Sequence, residues 1–410
     1  MVNLSTEIRE GFGISWDAIR ANKMRSVLTT LGIVIGIVTV SLMGAAIQGL
    51  NRAFLKSVSA LGADVFYVQR DSWLNETMED WIKSQRRRPI RAADAEALAD
   101  QLTLAGAVAP VAYANATVQY KSASASGVDI LGTTEAYLVT SGVGISQGRF
   151  LSAADAAGAR PVCVVGAQVA TNLFPNESAL GHKIKINAQS LEIVGVLEKQ
   201  GSFLGMFSLD NRVVLPLKQL IVVFFRYPDV SIQVKARDLV QLDEAREDVR
   251  LAMRRVRRLA PSQPDDFAIN QQDQIVTMFH RETAMIAVIG LCVTGLSLFV
   301  GGIGIMNIMF VSVTERTREI GIRKAIGAKR RTILLQFLTE AVCICLLGGL
   351  VGLGIAGLLT FVVEKFLPTA MSPVIVGVAL IMSLLTGVVS GFLPAWRAAR
   401  MDPVDALRYE

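Results

Sequence analysis

Histidine and cysteine are scarce in this chain of 410 residues, which has 2 histidines and 4 cysteines. His182 and His280 are far apart in the sequence, and each is interpreted as a surface residue. Cys163 is alone in the more polar part of the chain, and the other cysteines lie in apolar stretches, so no disulfide can form within the polar part. The sequence therefore predicts neither a metal site nor a disulfide framework.

A catalytic constellation is also absent from the sequence. The chain has no grouping of Ser, His and Asp, so we expect no catalytic residue. The net charge of +6 does not indicate nucleic-acid binding, because the basic residues cluster beside apolar stretches, where such charges set membrane topology. These absences argue against a metalloenzyme, a serine hydrolase and a nucleic-acid-binding protein.

Charged side chains are missing from three long stretches, and a fourth contains only Glu340. Apolar residues make up 52% of the chain and charged residues 19%, with a mean hydropathy of +0.45, so membrane spans must alternate with a soluble domain. A helix needs about 20 mostly apolar residues to cross a bilayer. The predicted transmembrane helices are residues 26–50, 283–314, 332–363 and 373–396.

Lysine and arginine residues beside these spans predict the orientation of the chain. Fourteen lie in the tail at 1–25, the loop at 315–331 and the tail at 397–410, whereas the loop at 364–372 has only Lys365. By the positive-inside tendency both termini are cytoplasmic, and residues 51–282 form a large domain outside. A cleaved signal peptide is the alternative for the first span. Its apolar stretch is longer than the about 7 to 15 residues of a usual signal, which favours an uncleaved span.

The tail at 1–25 is predicted to include an amphipathic helix. Ile8, Phe12, Trp16 and Ile19 recur at helical spacing with basic residues nearby, a pattern typical of a helix lying in the membrane interface. A flexible tail is the alternative.

The outer domain is predicted to be α+β, because short alternating stretches typical of strands are interspersed with helical patterns. We expect a strand pair around Pro110 within residues 107–120 and a helix at 239–259. The apolar sequence LIVVFF at 220–225 predicts a core strand. A surface for substrate or for a partner protein is the alternative for that stretch.

The loop at 315–331, ERTREIGIRKAIGAKRR, has the pattern of a short charged helix facing the cytoplasm. Acidic and basic residues are spaced to pair at i, i+3 and i, i+4, and spaced isoleucines offer apolar surface that fits a groove on a partner. A loop that only sets topology is the alternative, although topology requires neither mixed charges nor isoleucines. The candidate contact residues, with a glycine that can end the helix, are Glu315, Arg318, Glu319, Ile320, Ile322, Arg323, Lys324, Ile326 and Gly327.

Glycines four residues apart mark two of the spans. Gly32 and Gly36 lie in the first span, and Gly348 and Gly352 lie in the third. Such pairs let helix backbones approach closely. We interpret the first pair as a dimer contact, and leave the second open between the dimer and the subunit's own helix bundle.

Two polar residues lie inside predicted spans. An ionisable group within the membrane is a functional candidate, but Glu340 is only two to three turns from the cytoplasmic loop, which favours structural placement over a proton-coupling role. Asn307 is predicted to form a hydrogen bond to another helix rather than to bind substrate.

Several segments carry a resemblance to a known family. They are GGIGIMNIMFVSVTERTREIGIRKAIGAKRRTILLQFLTEA at 301–341, ANKMRSVLTTLGIVIGI at 21–37 and LPAWRAARMDPVDALR at 393–408, with SQGRFLSAAD and VCVVGAQVATNLFP in the outer domain. Together they closely resemble the MacB/FtsX-type permeases of ABC transporters. The likeness covers nearly the whole chain in order.

The resemblance implies a homodimeric permease in the bacterial cytoplasmic (inner) membrane, in contact with lipid, with two ATPase subunits beneath it. The segment at 315–331 would be the coupling helix that is seated on the ATPase. ATP binding would then move the outer domains, a mechanism called mechanotransmission.

One motif of MacB itself is missing: the chain has no G-x-x-x-x-G-K-[ST] phosphate loop. We therefore expect ATP and Mg²⁺ to bind a separate ATPase chain, and expect this chain to bind no cofactor. Efflux of a hydrophobic or amphipathic substrate, with a possible periplasmic adaptor and outer-membrane channel, is the leading hypothesis. The alternatives are a non-transporting mechanical regulator of a cell-wall hydrolase and a permease that extracts lipoproteins.

Overall fold

The chain divides into two compact units. The outer domain is Ala53–His280, and the membrane unit is the chain up to Arg52 and from Arg281 onward. The computed structural model describes residues 23–58, 62–74, 77–203, 207–224, 228–238, 240–365, 369 and 371–407. The predicted amphipathic helix in the tail lies outside these residues.

Thirteen helices and twelve strands occur in the described part of the chain. In chain order they are α1 (Lys23–Val58), β1 (Val65–Gln69), α2 (Met78–Gln85), α3 (Ala92–Ala99), β2 (Ala105–Tyr120), β3 (Ala123–Thr133), α4 (Tyr137–Ser141), β4 (Ile145–Gly148), α5 (Ala153–Ala157), β5 (Val162–Val165), α6 (Ala167–Leu173), β6 (Lys183–Ile186), β7 (Gln189–Leu197), β8 (Ser202–Phe203), β9 (Phe207–Ser208), β10 (Arg212–Pro216), α7 (Leu217–Phe224), β11 (Ser231–Ala236), α8 (Leu242–Val256), β12 (Ala268–Asn270), α9 (Gln272–Glu315), α10 (Thr317–Ala325), α11 (Arg330–Val363), α12 (Pro373–Arg400) and α13 (Pro403–Leu407).

Four of the described helices, α1, α9, α11 and α12, are long and apolar enough to cross a bilayer. They match the four predicted spans but extend further at polar ends. Helix α1 ends at Val58 rather than at residue 50, and α9 begins at Gln272 rather than at residue 283. Charged and amide side chains end an apolar stretch without ending a helix, because Lys, Arg, Gln and Glu are good helix formers.

Close backbone contact between α1 and α9 is made at Gly32 and Gly301. A β-carbon added at Gly32 would lie 2.9 Å from the α-carbon of Gly301, and one added at Gly36 would lie 2.9 Å from Cδ2 of Leu298. The interpretation of Gly32 and Gly36 as dimer contacts is therefore wrong. Both glycines serve the packing of the subunit's own bundle, a choice that sequence spacing alone does not reveal.

The third-span glycines bring α11 against the other side of α1. A β-carbon at Gly348 would lie 3.5 Å from Cγ2 of Ile33, and one at Gly352 would lie 3.1 Å from Cβ of Ile37. Helix α12 packs closely on α11 in the same way, since a β-carbon at Gly387 would lie 2.8 Å from the α-carbon of Val342. Small residues thus join the membrane helices into one bundle.

The outer domain is α+β, as predicted, and is built on a mixed ten-stranded sheet. The strand order is β12-β1-β11-β2-β3-β10-β5-β7-β4, with β6 paired to β2 and β7. The pairs β3–β10 and β5–β7 are parallel, and the other pairs in this sheet are antiparallel. Two helices close the core, because α8 buries Ala245, Val249 and Met253 and α3 buries Leu98 against the sheet.

Strand β2 is continuous, so the predicted strand pair around Pro110 is wrong. Residues up to Val111 pair with β11, and residues from Ala112 onward pair with β3. Pro110 has no N–H to donate, but it lies where β2 is paired with only one neighbour, and such a position tolerates proline. Its carbonyl accepts a hydrogen bond from Thr133 Oγ1 at 2.8 Å.

Residues 220–224 of the sequence LIVVFF lie in helix α7 and not in the predicted core strand. Leu220 and Val223 are buried, whereas Val222 is 42% exposed, which is the one-sided burial of a helix packed on a surface. A β-carbon at Gly132 of β3 would lie 2.8 Å from Cβ of Leu220, so the glycine lets α7 lie directly on the sheet. A short run of consecutive apolar residues has no period that separates a buried helix from a buried strand.

Candidate functional site

The charged loop between α9 and α11 folds as a separate short helix, α10. Glu315 is the last residue of α9, and the backbone leaves the helical pattern at Arg316, where φ is −102° and ψ is 15°. The predicted helix over 315–331 is therefore shorter, Thr317–Ala325. Glu315 and Arg318 therefore belong to different helices. The predicted ion pair between them is not among the ion pairs of the described residues.

Gly327 ends α10 as predicted. Its φ is +96°, a left-handed conformation that favours glycine. The N–H of Gly327 donates to the carbonyl of Lys324 at 3.0 Å, and the N–H of Ala328 donates to the carbonyl of Arg323 at 3.0 Å. This pair of bonds is a Schellman cap, which satisfies carbonyls that the helix end would leave free.

One face of α10 is packed into the membrane unit. Ile320 is only 2% exposed and belongs to the same core as Met309 and Phe337. Thr317 is buried beside it, and its Oγ1 donates to the carbonyl of Thr314 at 2.8 Å. Ile320 therefore anchors the helix and is not free to enter a groove on a partner, contrary to its predicted role.

The opposite face of α10 is open and combines apolar and charged side chains. Ile322 is 47% exposed and Ile326 is 80% exposed. The predicted pair of Glu319 and Arg323 is present at 3.9 Å, and Arg323 Nη1 also donates to Gln336 Oε1 at 2.9 Å. An ion pair with such exposed groups contributes little stability, about 0.3–0.5 kcal/mol. The side chains of Glu319 and Arg323 are therefore available for contact with another protein.

Lys324 points towards the C-terminal part of the chain. Its Nζ donates to the carbonyl of Met401, directly after α12, and burial together with the charge of Arg330 lowers the pKa of Lys324. Lys324 was predicted as a contact residue, but its ammonium group instead joins α10 to the segment that follows α12.

Arg316 and Glu340 connect the start of α10 to the bundle. Arg316 Nη1 is 3.4 Å from Glu340 Oε2, and the glutamate side chain is 3% exposed. The contact agrees with structural placement of Glu340, since a buried carboxylate needs a partner.

Asn307 lies on the exposed surface of α9, and among the described residues it has no hydrogen bond to another helix of the subunit. The predicted interhelical hydrogen bond is therefore not made within the subunit.

Helix α13 was missed as an element of this site. It packs on α10, where a β-carbon at Gly321 would lie 2.7 Å from Cβ of Ala406. The sequence DP at 402–403 is a helix-start signal, with proline at the first helical position. Asp402 Oδ1 accepts from the N–H of Val404 at 2.9 Å, as an N-terminal capping side chain does.

Chemistry-bearing clusters are absent from the described residues. No group of three or more His, Cys, Asp or Glu side chains there can hold a metal ion. All four cysteines are free, and burial raises the pKa of the Cys163 thiol, which makes that thiol unreactive.

Two family models match the sequence. Residues 26–252 match the MacB-like periplasmic core domain, and residues 291–403 match the FtsX-like permease C-terminal region. Together the two matches cover α10 and most of both the membrane unit and the outer domain.

The chain belongs to the MacB/FtsX family of ABC transporter permeases. The ABC transporter permease YknZ of Bacillus subtilis is 33% identical over 98% of this chain and 99% of its own length. The macrolide export ATP-binding/permease protein MacB of Bdellovibrio bacteriovorus is 32% identical over 98% of this chain. The chain spans only 62% of the length of that MacB protein.

Among solved structures, the periplasmic region of MacB from Actinobacillus actinomycetemcomitans is similar over 54% of this chain and 95% of that one, at 19% identity and a TM-score of 0.45. Family membership confirms the predicted class: a MacB/FtsX-type permease of the cytoplasmic membrane, with four membrane helices and a large extracytoplasmic domain between the first two.

Proposed function

We propose that this MacB/FtsX-type permease couples ATP hydrolysis by a separate ATPase subunit to movement of its outer domain. The single observation that carries the proposal is the open face of α10, with Ile322 and Ile326 exposed beside Glu319 and Arg323. An apolar face bordered by charge on a rigidly anchored cytoplasmic helix fits a groove on a partner protein.

The anchoring of α10 supports a role in transmitting force. Its buried face joins the bundle core through Ile320, and its start is tied to α11 by Arg316 and Glu340. A push on the exposed face would therefore move α9 and α11 together, because packed cores transmit displacement rather than absorb it. Helix α9 is one continuous helix from Gln272 to Glu315.

A separate ATPase is proposed because the sequence has no phosphate loop. ATP and Mg²⁺ would then be bound in the partner, and this chain would supply neither a nucleotide site nor a catalytic residue. The separate ATPase is supported among the relatives by YknZ, which this chain covers over 99% of its length and which is named as a permease, whereas the MacB relatives are named as ATP-binding/permease proteins.

A homodimer is proposed for the assembled permease. Helix α9 exposes a long apolar surface, and Asn307 interrupts it with an amide. An unpaired amide is unfavourable in lipid, so a second copy of α9 is a suitable hydrogen-bond partner. Molecular mass in detergent, compared between the wild type and Asn307→Leu, tests this point.

Efflux of a hydrophobic or amphipathic substrate is the proposed task. Its support is the similarity to proteins named as macrolide export permeases. A periplasmic adaptor and an outer-membrane channel would be the further partners, and their recovery with the purified chain would support export across the envelope.

The test is affinity purification of the tagged chain from mild detergent, followed by measurement of ATP hydrolysis. We expect the chain alone to hydrolyse no ATP, and an ABC ATPase to be recovered with it from its native membrane. Detectable turnover by the chain alone would contradict the proposal.

The double substitution Glu319→Ala with Arg323→Ala tests the coupling face. We expect it to weaken stimulation of the ATPase while leaving the molecular mass of the permease unchanged. Unchanged stimulation would mean that the loop only sets topology.

A further inference from the structure

We infer that α13 and α10 together form the surface that receives the ATPase, with α13 supplying its second half. The inference rests on the proposed function and adds Val404 and Leu407 to the docking residues. Both lie in the tail at 397–410, to which the sequence assigns no role beyond a cytoplasmic position.

The two helices are in direct contact. A β-carbon at Gly321, in the middle of α10, would lie 2.7 Å from Cβ of Ala406 and 3.5 Å from the backbone nitrogen of Leu407. Ala406 is 1% exposed, so the contact is closed to solvent. Only glycine at position 321 lets the backbones approach this closely, which makes α13 a fixed neighbour of the coupling helix.

A hydrogen bond holds the same junction at its other end. The Nζ of Lys324 donates to the carbonyl of Met401, one residue before Asp402. Asp402 in turn caps α13 through the N–H of Val404. The short helix is therefore fixed at both ends, by a cation from α10 at its start and by the Gly321–Ala406 contact at its end.

Two side chains of α13 are apolar and open, since Val404 is 69% exposed and Leu407 is 48% exposed, and the acidic Asp405 between them is also exposed. On α10 Ile322 is 47% exposed, and Ile326, which caps the end of that helix, is 80% exposed. These four residues, Ile322, Ile326, Val404 and Leu407, define the composite surface. A helix of five residues has too little length to be stable alone, so its position is given by α10.

The loop at 315–331 exposes more basic than acidic side chains, which favours a partner protein whose apolar groove has an acidic border. Its exposed basic residues are Arg318, Arg323, Lys329, Arg330 and Arg331, and the exposed acidic residues of the loop and of the segment at 402–407 are Glu315, Glu319, Asp402 and Asp405. The surface is continuous with the face of α10 proposed for the ATPase and lies on the same side of the membrane. The ATPase subunit is therefore the partner to which we assign it, and the anionic membrane surface is the other possible occupant.

The first test uses aspartate substitutions at exposed positions. The ABC ATPase recovered with the wild-type chain is co-expressed with Val404→Asp, with Leu407→Asp and with Ile326→Asp. Val240→Asp, at an outer-domain residue that is 89% exposed, is the matched control. We expect Val404→Asp and Leu407→Asp to lower the affinity for the ATPase about tenfold, as for Ile326→Asp, because exposed anchors dominate interface energies.

The outcomes separate the inference from the proposed function. If Ile326→Asp loses the ATPase while Val404→Asp and Leu407→Asp retain it at wild-type affinity, α13 is not part of the surface and the inference fails alone. If Val404→Asp and Leu407→Asp release the tail from the membrane surface without changing the affinity for the ATPase, the occupant is lipid and the inference is likewise overturned. If Ile326→Asp also behaves as wild type, docking on α10 fails as well.

The second test is a rescue at the helix contact. Gly321→Ala places a methyl group against Ala406, and we expect it to reduce ATPase stimulation about fivefold or more. Adding Ala406→Gly restores the space, so the double variant should regain most of the stimulation. Weaker helix formation cannot explain a loss in the single variant, because alanine favours helix more than glycine does. A single variant that acts as wild type, or a double variant that is not rescued, would overturn the inference.

Discussion

Arg316 and Glu340 form an ion pair in which Nη1 and Oε2 are 3.4 Å apart, and it links the turn before α10 to the middle of α11. The carboxylate is almost fully buried, whereas the arginine is 24% exposed. The pair therefore fixes the angle at which α10 leaves α9, and under the proposed function the removal of either group is expected to weaken coupling to the ATPase.

Glu340→Ala is expected to lower the stability of the membrane unit by about 1–3 kcal/mol, because it leaves the partly buried Arg316 without its hydrogen-bond partner. ATPase stimulation should fall with it, while Glu340→Gln retains a hydrogen-bond acceptor and part of the stimulation. Thermal unfolding in detergent and ATPase rates are the measurements. Glu364→Ala, at an exposed glutamate that follows the other end of α11, is the control, and an equal effect of Glu340→Ala and Glu364→Ala would contradict the structural role.

Gly301→Leu is expected to destabilise the bundle by about 1–3 kcal/mol, because a side chain there must displace the backbone of α1 at Gly32. Gly295→Leu is the matched control on the same helix, since a β-carbon at Gly295 meets no atom within 4 Å. Thermal unfolding and molecular mass in detergent distinguish the outcomes. If Gly301→Leu loses the dimer but unfolds at the same temperature as the wild type, Gly301 belongs to the dimer interface instead.

Gly327→Ala is expected to fray the end of α10, because a φ of +96° is strained by about 1 kcal/mol for a residue with a side chain. Asparagine tolerates left-handed conformations better, so Gly327→Asn should lose less ATPase stimulation than Gly327→Ala. The ATPase rates of the two variants, each with the same ATPase chain, give the order. Equal and full stimulation by both would show that the Schellman cap is dispensable.

The ionisation of Asp155 makes the stability of the outer domain depend on pH in the acid range. Burial by itself would raise the pKa of Asp155, but hydrogen bonds from Arg149 Nη1 at 2.6 Å and Ser152 Oγ at 2.7 Å outweigh it and hold the pKa well below its usual range. A lowered pKa contributes stability that is complete above the pKa of the unfolded chain, about 3.9, and that is lost as pH falls through the folded value.

Asp155→Asn should therefore destabilise the outer domain by about 1–3 kcal/mol at neutral pH, with the difference from wild type narrowing below about pH 4. Urea unfolding of the full chain, followed by tryptophan fluorescence, measures it. Asp100→Asn, at an exposed carboxylate, is the control. A difference that is constant from neutral to acid pH would contradict the ionic role of Asp155.

Much of the fold could be predicted from the sequence because the physical signals are long. Four long apolar stretches, one of them interrupted only by Glu340, indicated the membrane helices, and the charges beside them indicated the orientation. Short signals failed where tertiary contacts decide. Residues 220–224 lie in α7, for which Gly132 leaves space on the sheet, and Pro110 is tolerated because β2 has one neighbour there.

The site was predicted only in part, because some of its features are local in sequence and others are not. Helical spacing predicted α10 and its glycine cap, since both are local properties. Spacing within a helix does not say which side faces the bundle, so the predicted contact residues included Ile320, which is buried, and Lys324, which donates to the carbonyl of Met401. Gly321 and Ala406 are in contact although they are far apart in sequence, and no local sequence pattern predicts such a contact.

The central claim, that α10 receives a separate ATPase, is tested most directly by crosslinking from Ile326. Ile326→Cys, labelled with a thiol-reactive photo-crosslinker, is made in a chain whose accessible cysteines Cys292 and Cys343 are changed to alanine. Val240→Cys in the same background is the control. We predict a light-dependent crosslink to the ATPase from position 326 and none from position 240. A copurified ATPase that is not crosslinked from position 326 would contradict the account.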